Sequence, residues 1–132
     1  VKNAIEEEMD KLGLIPGGYT AAHLRVLYGI EDRAEGVKEK WAENALNCAS
    51  ELRPRTPIFF TSDSSNATHY AKVYAAEQHA QIRTRIPNPN PPLHIDKVKP
   101  HLNLPPSDFY DTFVDLYILA QADCVTYNKG GY

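Results

Sequence analysis

Tyr19-Thr20-Ala21-Ala22-His23-Leu24-Arg25-Val26-Leu27 and Pro57-Ile58-Phe59-Phe60-Thr61 are the two runs on which the fold turns. Each is short and dominated by apolar residues, which suits a strand buried on both faces rather than one alternating between core and water. Between them Val37, Trp41, Ala45, Cys48, Ala49 and Leu52 recur at helical spacing, so residues 35–52 are expected to be a helix stopped by Pro54. Upstream, Val1, Ala4, Ile5, Met9 and Leu12 predict an amphipathic helix over 1–12, ended by Gly13 and followed by a Pro16-Gly17-Gly18 turn. Downstream, Ser62-Asp63-Ser64-Ser65-Asn66 offers turn and capping chemistry before a helix over 66–79, with Ala67, Ala71, Tyr74 and Ala75 on one side.

Residues 81–86 are expected to form a third strand. Seven of the ten prolines then fall between Pro87 and Pro106. Proline lacks the backbone N–H and fixes φ, so this segment is expected to be a long surface loop. Ser107-Asp108 is expected to cap a fourth helix with Phe109, Phe113, Leu116, Tyr117 and Ala120 as its apolar stripe. Asp123–Tyr127 is the last expected strand. Strands alternating with helices call for a parallel sheet covered on both faces, with right-handed crossovers as the default. The expected fold is α/β, a Rossmann-like open parallel sheet in one domain spanning residues 1–132.

The composition is that of an ordinary globular domain. Of 132 residues, 42% are hydrophobic and 23% charged, which excludes disorder, collagen and coiled coil. The net charge of −3 supplies no basic footprint, so no nucleic-acid partner is expected. No apolar run reaches the length of a membrane span, and the acidic residues among 1–12 do not suit a signal peptide. Met9 is the only methionine, so the chain is expected to be a piece of something longer, incomplete at its C-terminus. Cys48 and Cys124 are expected to be buried small hydrophobes rather than a disulfide framework.

Open parallel sheets bind ligands outside the carboxyl ends of their strands. Three polar features are expected there. His23 and Arg25 share one side of their strand near its end. Arg25 either pairs with an acid such as Asp63 or Asp115, or forks onto a phosphate with its planar donors. Thr61-Ser62-Asp63-Ser64-Ser65 reads first as ordinary helix capping. Asp63 itself suits an orienter of Arg25, or a contact to sugar hydroxyls, better than a phosphate ligand. Asp115 follows Asp108 and Asp111 on one helical face, with no Lys or Arg from Asp108 to Asn128. That face is either solvated, or it presents an unaccompanied carboxylate to a cleft where it accepts two N–H bonds from a guanine edge. Dinucleotide, P-loop and Gly-x-Ser-x-Gly fingerprints are absent, the histidines and cysteines show no zinc spacing, and there is no Asp-x-Asp pair. His94 and His101, in the proline-dense segment, are expected to be solvated.

Three blocks in order carry a family resemblance. They are Tyr19-Thr-Ala-Ala-His-Leu-Arg25, Ile58-Phe-Phe-Thr-Ser-Asp63, and Asp115-Leu-Tyr-Ile-Leu-Ala-Gln-Ala-Asp-Cys-Val-Thr126. Together the chain resembles the C-terminal, nucleotide-sugar-binding half of GT-B fucosyltransferases, the α1,6-fucosyltransferase and protein O-fucosyltransferase superfamily. The resemblance implies a GDP-fucose donor and fucose transfer with inversion, without a metal or other cofactor, to a glycan or protein acceptor. It implies that Arg25 holds the β-phosphate as the catalytic residue, that His23 and Asp115 recognise guanine and its ribose, and that Asp63 sits beside them. It further implies work in the secretory pathway, in the Golgi or ER lumen, with which the Asn66-Ala67-Thr68 sequon is compatible.

Departures are also visible. Val26 and Tyr28 replace the second Arg and the Asp of the α1,6 branch, so the plainer His-Leu-Arg of the O-fucosyltransferase-like branch fits better. Asn128-Lys129-Gly130-Gly131 stands where the family shows a Ser-Ser pair, which leaves Lys129 and the Gly130 amide as replacement donors. Glu31 and Asp32 are the candidate general bases. The acceptor-binding half is absent, so this stretch is expected to be inactive alone. The alternative reading is a non-catalytic α/β binding module of the same fold.

Overall fold

The computed structural model describes residues 2–26, 36–78, 81–85 and 105–127, apart from the Asp108 side chain. Its elements run α1 (Lys2–Leu12), β1 (Thr20–Leu24), α2 (Val37–Leu52), β2 (Ile58–Ser62), α3 (Ser65–Gln78), β3 (Ile82–Arg83), α4 (Tyr110–Ala120) and β4 (Cys124–Tyr127). The four strands form one all-parallel sheet in the order β3-β2-β1-β4. This is the α/β, Rossmann-like arrangement that the alternation of strands and helices predicts. Strand β1 is central, with Ala22 in register with Phe60 on one side and Thr126 on the other. Successive strands β1, β2 and β3 step away in one direction, whereas β4 lies on the opposite side of β1. The order therefore reverses between β1 and β4, and at such a reversal the turns after the strands diverge and leave a crevice.

Period two divides the buried strands between two layers. Ala22 and Leu24 of β1, with Ile58 and Phe60 of β2, pack under α2 and α3 through Ala42, Leu46, Ala49, Ala67 and Ala71. The alanines let those helices approach the sheet closely. Tyr19, Ala21 and Phe59 point the other way, against Ile5 and Met9 of α1 and Val114 and Ile118 of α4. His23, two residues on from Ala21, shares that second side.

Turn chemistry fixes the entry to β1. Gly13 takes φ +66° just past α1. Its N–H donates to the Asp10 carbonyl at 3.0 Å, and the Leu14 N–H donates to the Met9 carbonyl at 2.9 Å. That is a Schellman end, closed by apolar contact between Leu14 and Met9 in the core. Pro16 and Gly17 (φ +72°) form the middle of the next turn, closed by the Gly18 N–H on the Ile15 carbonyl at 2.8 Å.

Several sequence expectations are corrected. Ser107 and Asp108 do not stand at the N-cap of α4: they lie in a short 3-10 turn, Pro106–Phe109, and Phe109 takes the N-cap position. The stripe on α4 is rotated. Its buried residues are Val114, Ile118 and Leu119, whereas Phe113, Leu116 and Tyr117 are exposed. On α2 the inward residues are Ala42, Leu46 and Ala49, with Trp41 and Ala45 at the margin. Cys48 is exposed and Cys124 half-buried, so neither is the fully buried small hydrophobe expected. Strand β1 ends at Leu24 and β3 at Arg83, both shorter than the strands expected from the sequence. Leu27, and the proline-dense segment up to residue 104, lie outside the described residues. No helix among the described residues is long and apolar enough to cross a membrane.

Candidate functional site

The carboxyl ends of β1 and β2 bring His23, Arg25, Thr61 and Asp63 to one edge of the sheet. His23 is in register with Thr61 on β2 and Tyr127 on β4, and only 8% of it is exposed. Burial pushes its imidazole below the ordinary value. The nearby Asp63 carboxylate opposes that shift, and the Arg25 guanidinium adds to it. The three residues thus share one electrostatic neighbourhood, with His23 neutral at its centre. Asp63 also braces the backbone. Its Oδ1 accepts the Val26 N–H at 2.7 Å, tying the chain as it leaves β1 to the turn after β2.

The serine-rich turn does what capping chemistry predicts. Ser64 Oγ accepts the Ala67 N–H at 3.3 Å, and Ser62 Oγ accepts the Ser64 N–H at 3.1 Å. In the sequon, Asn66 is exposed in the first turn of α3, while Thr68 is buried and its hydroxyl donates to the Ser64 carbonyl at 3.2 Å.

Asp115 is half-buried and not unaccompanied. Arg85, just past β3, donates from Nη1 to Asp115 Oδ1 at 2.8 Å and to the Asp111 carbonyl at 3.0 Å. Its Nη2 donates to Asp111 Oδ1 at 2.7 Å, and its Nε reaches Glu8 Oε2 of α1 at 3.4 Å. Thr61 Oγ1 donates to the second carboxylate oxygen of Asp115 at 2.8 Å. The cluster therefore joins α1, α4, β2 and the end of β3. Burial opposes the charge on Arg85, but its hydrogen bonds and proximity to Asp115 and Asp111 outweigh that and hold the guanidinium above its usual range. Burial pushes the Asp115 carboxyl up, the Arg85 and Thr61 hydrogen bonds pull it back, and Asp111 adds to the upward push. Of the two acids considered as ion-pair partners for Arg25, Asp115 is thus committed to Arg85.

Arg85 is the site-edge residue that sequence reasoning missed, while Thr61 was named only as the first residue of a run read as capping. Thr61 was visible as the register neighbour of any residue at the end of β1. Arg85 was visible as a cation at the end of an expected strand, where burial demands a counter-charge. Lys129 and Gly130, Asn128 and Gly131, the base candidates Glu31 and Asp32, and His94 and His101 lie outside the described residues. Comparison with protein-family models, curated proteins and solved structures returns no match.

Proposed function

We propose that this chain is the donor-binding domain of a fucosyltransferase-like glycosyltransferase, taking GDP-fucose at the carboxyl edge of its sheet. The observation that carries the reading is the grouping of His23, Arg25 and Asp63 in one electrostatic neighbourhood at the carboxyl ends of β1 and β2, beside the reversal of strand order. The ordered sequence blocks add the identity of the donor. A neutral imidazole, a guanidinium and a carboxylate there offer a nucleoside diphosphate base and ribose contacts together with a phosphate fork.

In the proposed reaction the bond from fucose C1 to the β-phosphate oxygen breaks, and its electron pair leaves with GDP. An acceptor hydroxyl oxygen bonds to C1 from the opposite face and gives up its proton to a base, inverting the anomeric centre. Negative charge grows on the departing phosphate, where a fixed guanidinium is often worth about 3–4 kcal/mol. Arg25 takes that role. Asp63 steadies the chain beside Arg25 through Val26, and Lys129 and Gly130 serve as further phosphate donors. The acceptor is a glycan or protein hydroxyl, the compartment is the secretory pathway, and the domain acts with an acceptor-binding half.

Calorimetric titration of the chain with GDP and GDP-fucose, without added metal, tests the reading. Binding that Arg25→Ala abolishes is expected; binding indifferent to Arg25→Ala and His23→Ala refutes the site. Val26, in place of the second arginine of the α1,6 branch, favours one further reading, a non-catalytic module of this fold. That reading requires the chain's parent to bind GDP without ever turning over GDP-fucose.

A further inference from the structure

A carboxylate has about four lone-pair sites. Among the described residues, one bond falls on each oxygen of Asp115, from Arg85 to Oδ1 and from Thr61 to Oδ2, both at 2.8 Å. A quarter of the side chain (25%) remains exposed. Each oxygen therefore keeps acceptor capacity, and the pair is held in a fixed plane by a guanidinium on one side and a hydroxyl on the other. Two parallel N–H donors, such as the N1–H and N2–H of guanine, match a carboxylate fixed in this way.

Resting on the donor-binding reading above, we propose that Arg85, aided by Thr61, is a positioning residue that holds Asp115 oriented and ionised so that it accepts a two-donor base edge. Ionisation is the point at which Arg85 differs from a mere brace. A protonated carboxyl gains a donor and can no longer accept at both oxygens. Burial pushes Asp115 toward that protonated form, and the Arg85 hydrogen bond is the largest influence pulling it back. The other groups around the cluster are Glu8 and Lys11 from α1, Asp111 from α4, Thr61 from β2, and Arg83, whose Nε donates to the Leu12 carbonyl. From β1 the nearest titratable group is His23, flanked by Arg25 and Asp63. Arg85 is the cation among them that contacts Asp115 directly.

The test compares GDP with inosine diphosphate, which lacks the N2 amino group, by calorimetry of the full chain from pH ~6 to ~8. The wild type is expected to prefer GDP by about tenfold or more, as fits one hydrogen bond to a charged acceptor, with a flat pH profile. Arg85→Met is expected to erase most of that preference at the lower end of the range, where the unassisted carboxyl takes up a proton, and to recover part of it as pH rises. Arg85→Lys restores the flat profile but not the full preference, since a point charge replaces a fork. Thr61→Val lowers the preference without adding pH dependence.

A folded Arg85→Met variant with the wild-type ratio and a flat profile overturns the proposal. If that variant does not fold, an unchanged ratio in both Arg85→Lys and Thr61→Val overturns it instead. A wild type that binds neither nucleotide, or both alike, sinks the donor reading and the role of Arg85 together. A wild type that prefers GDP while the variants change nothing sinks Arg85 alone.

Discussion

Arg85→Met keeps the aliphatic stem and deletes the charge that four groups share. The structure supplies the magnitude. Two contacts to carboxylate oxygens at 2.7 and 2.8 Å and one to the Asp111 carbonyl at 3.0 Å are lost. Breaking a buried pair by removing one partner typically costs ~3–5 kcal/mol, because the other charge is left unpaired. Here Asp115 and Asp111 keep side-chain exposures of 25% and 43%, so water recovers part of the loss. About 3 kcal/mol is expected, a sizeable fraction of the ~5–15 kcal/mol that holds a domain folded. Asp115→Asn should cost less, about 1–2 kcal/mol, since Arg85 retains Asp111 and Glu8 and no charge is orphaned.

The double variant carries the sharper information. Adding Asp115→Asn to Arg85→Met removes the orphaned carboxylate, so the two losses should fall short of additivity by about 1–2 kcal/mol. Urea unfolding at pH 7, compared at constant m, gives all four values. The pH sign follows from burial. Without Arg85 the folded pKa of Asp115 rises further above its unfolded value, so the ionised carboxylate opposes folding. The deficit of Arg85→Met should then shrink as pH falls through that raised pKa. An Arg85→Met variant within about 0.5 kcal/mol of wild type, or a deficit unchanged on acidification, refutes the reasoning.

Gly13→Ala should destabilise by about 1 kcal/mol, all of it conformational, because φ is +66° and nothing lies within 4 Å of an added Cβ; chemical denaturation measures it. Burial pushes the Tyr19 phenol up to about 12, and its hydroxyl donates to the Ile118 carbonyl. Its raised folded pKa means that stability declines once pH passes the unfolded tyrosine value, and Tyr19→Phe should lose less on that alkaline limb, as followed by thermal melts. The His23 imidazole should titrate below its ordinary 6.5 in a proton NMR pH series. Its depressed folded pKa makes stability fall as pH drops from the unfolded value toward the folded one, and His23→Gln should flatten that part of the profile.

The fold was legible where the local pattern and the burial demand agreed. The apolar runs that open at Tyr19 and Pro57 hold β1 and β2, and the helix between them makes the pairing parallel. Gly13 and Pro16-Gly17 likewise mark turns because few other residues take those conformations. The helix faces were harder to read. On α2, small residues decide which side approaches the sheet, so Ala42 and Ala49 are buried while the larger Leu52 is exposed. A hydrophobicity stripe weights side-chain size, and close helix-on-sheet packing does not.

Helix α4 shows why the site was only half legible. Asp111, Val114, Asp115 and Ile118 form one stripe, and counting both acids as polar turns the helix until Phe113 and Tyr117 point inward. The stripe becomes the buried one only when a cation arrives from elsewhere. That cation is Arg85, thirty positions from Asp115 and separated from it by the proline-dense segment. No periodicity can register a counter-charge at that separation, although the requirement for one was already implicit in an arginine at the end of a strand. His23, Arg25 and Asp63, by contrast, come from two strand ends that any β1–β2 pairing brings together. Thr61 joins the two systems: it is the register neighbour of His23 on one side and the hydrogen-bond donor to Asp115 on the other. A change in the Arg85 cluster is thus one residue away from the imidazole, whose own charged neighbours are Asp63 and Arg25.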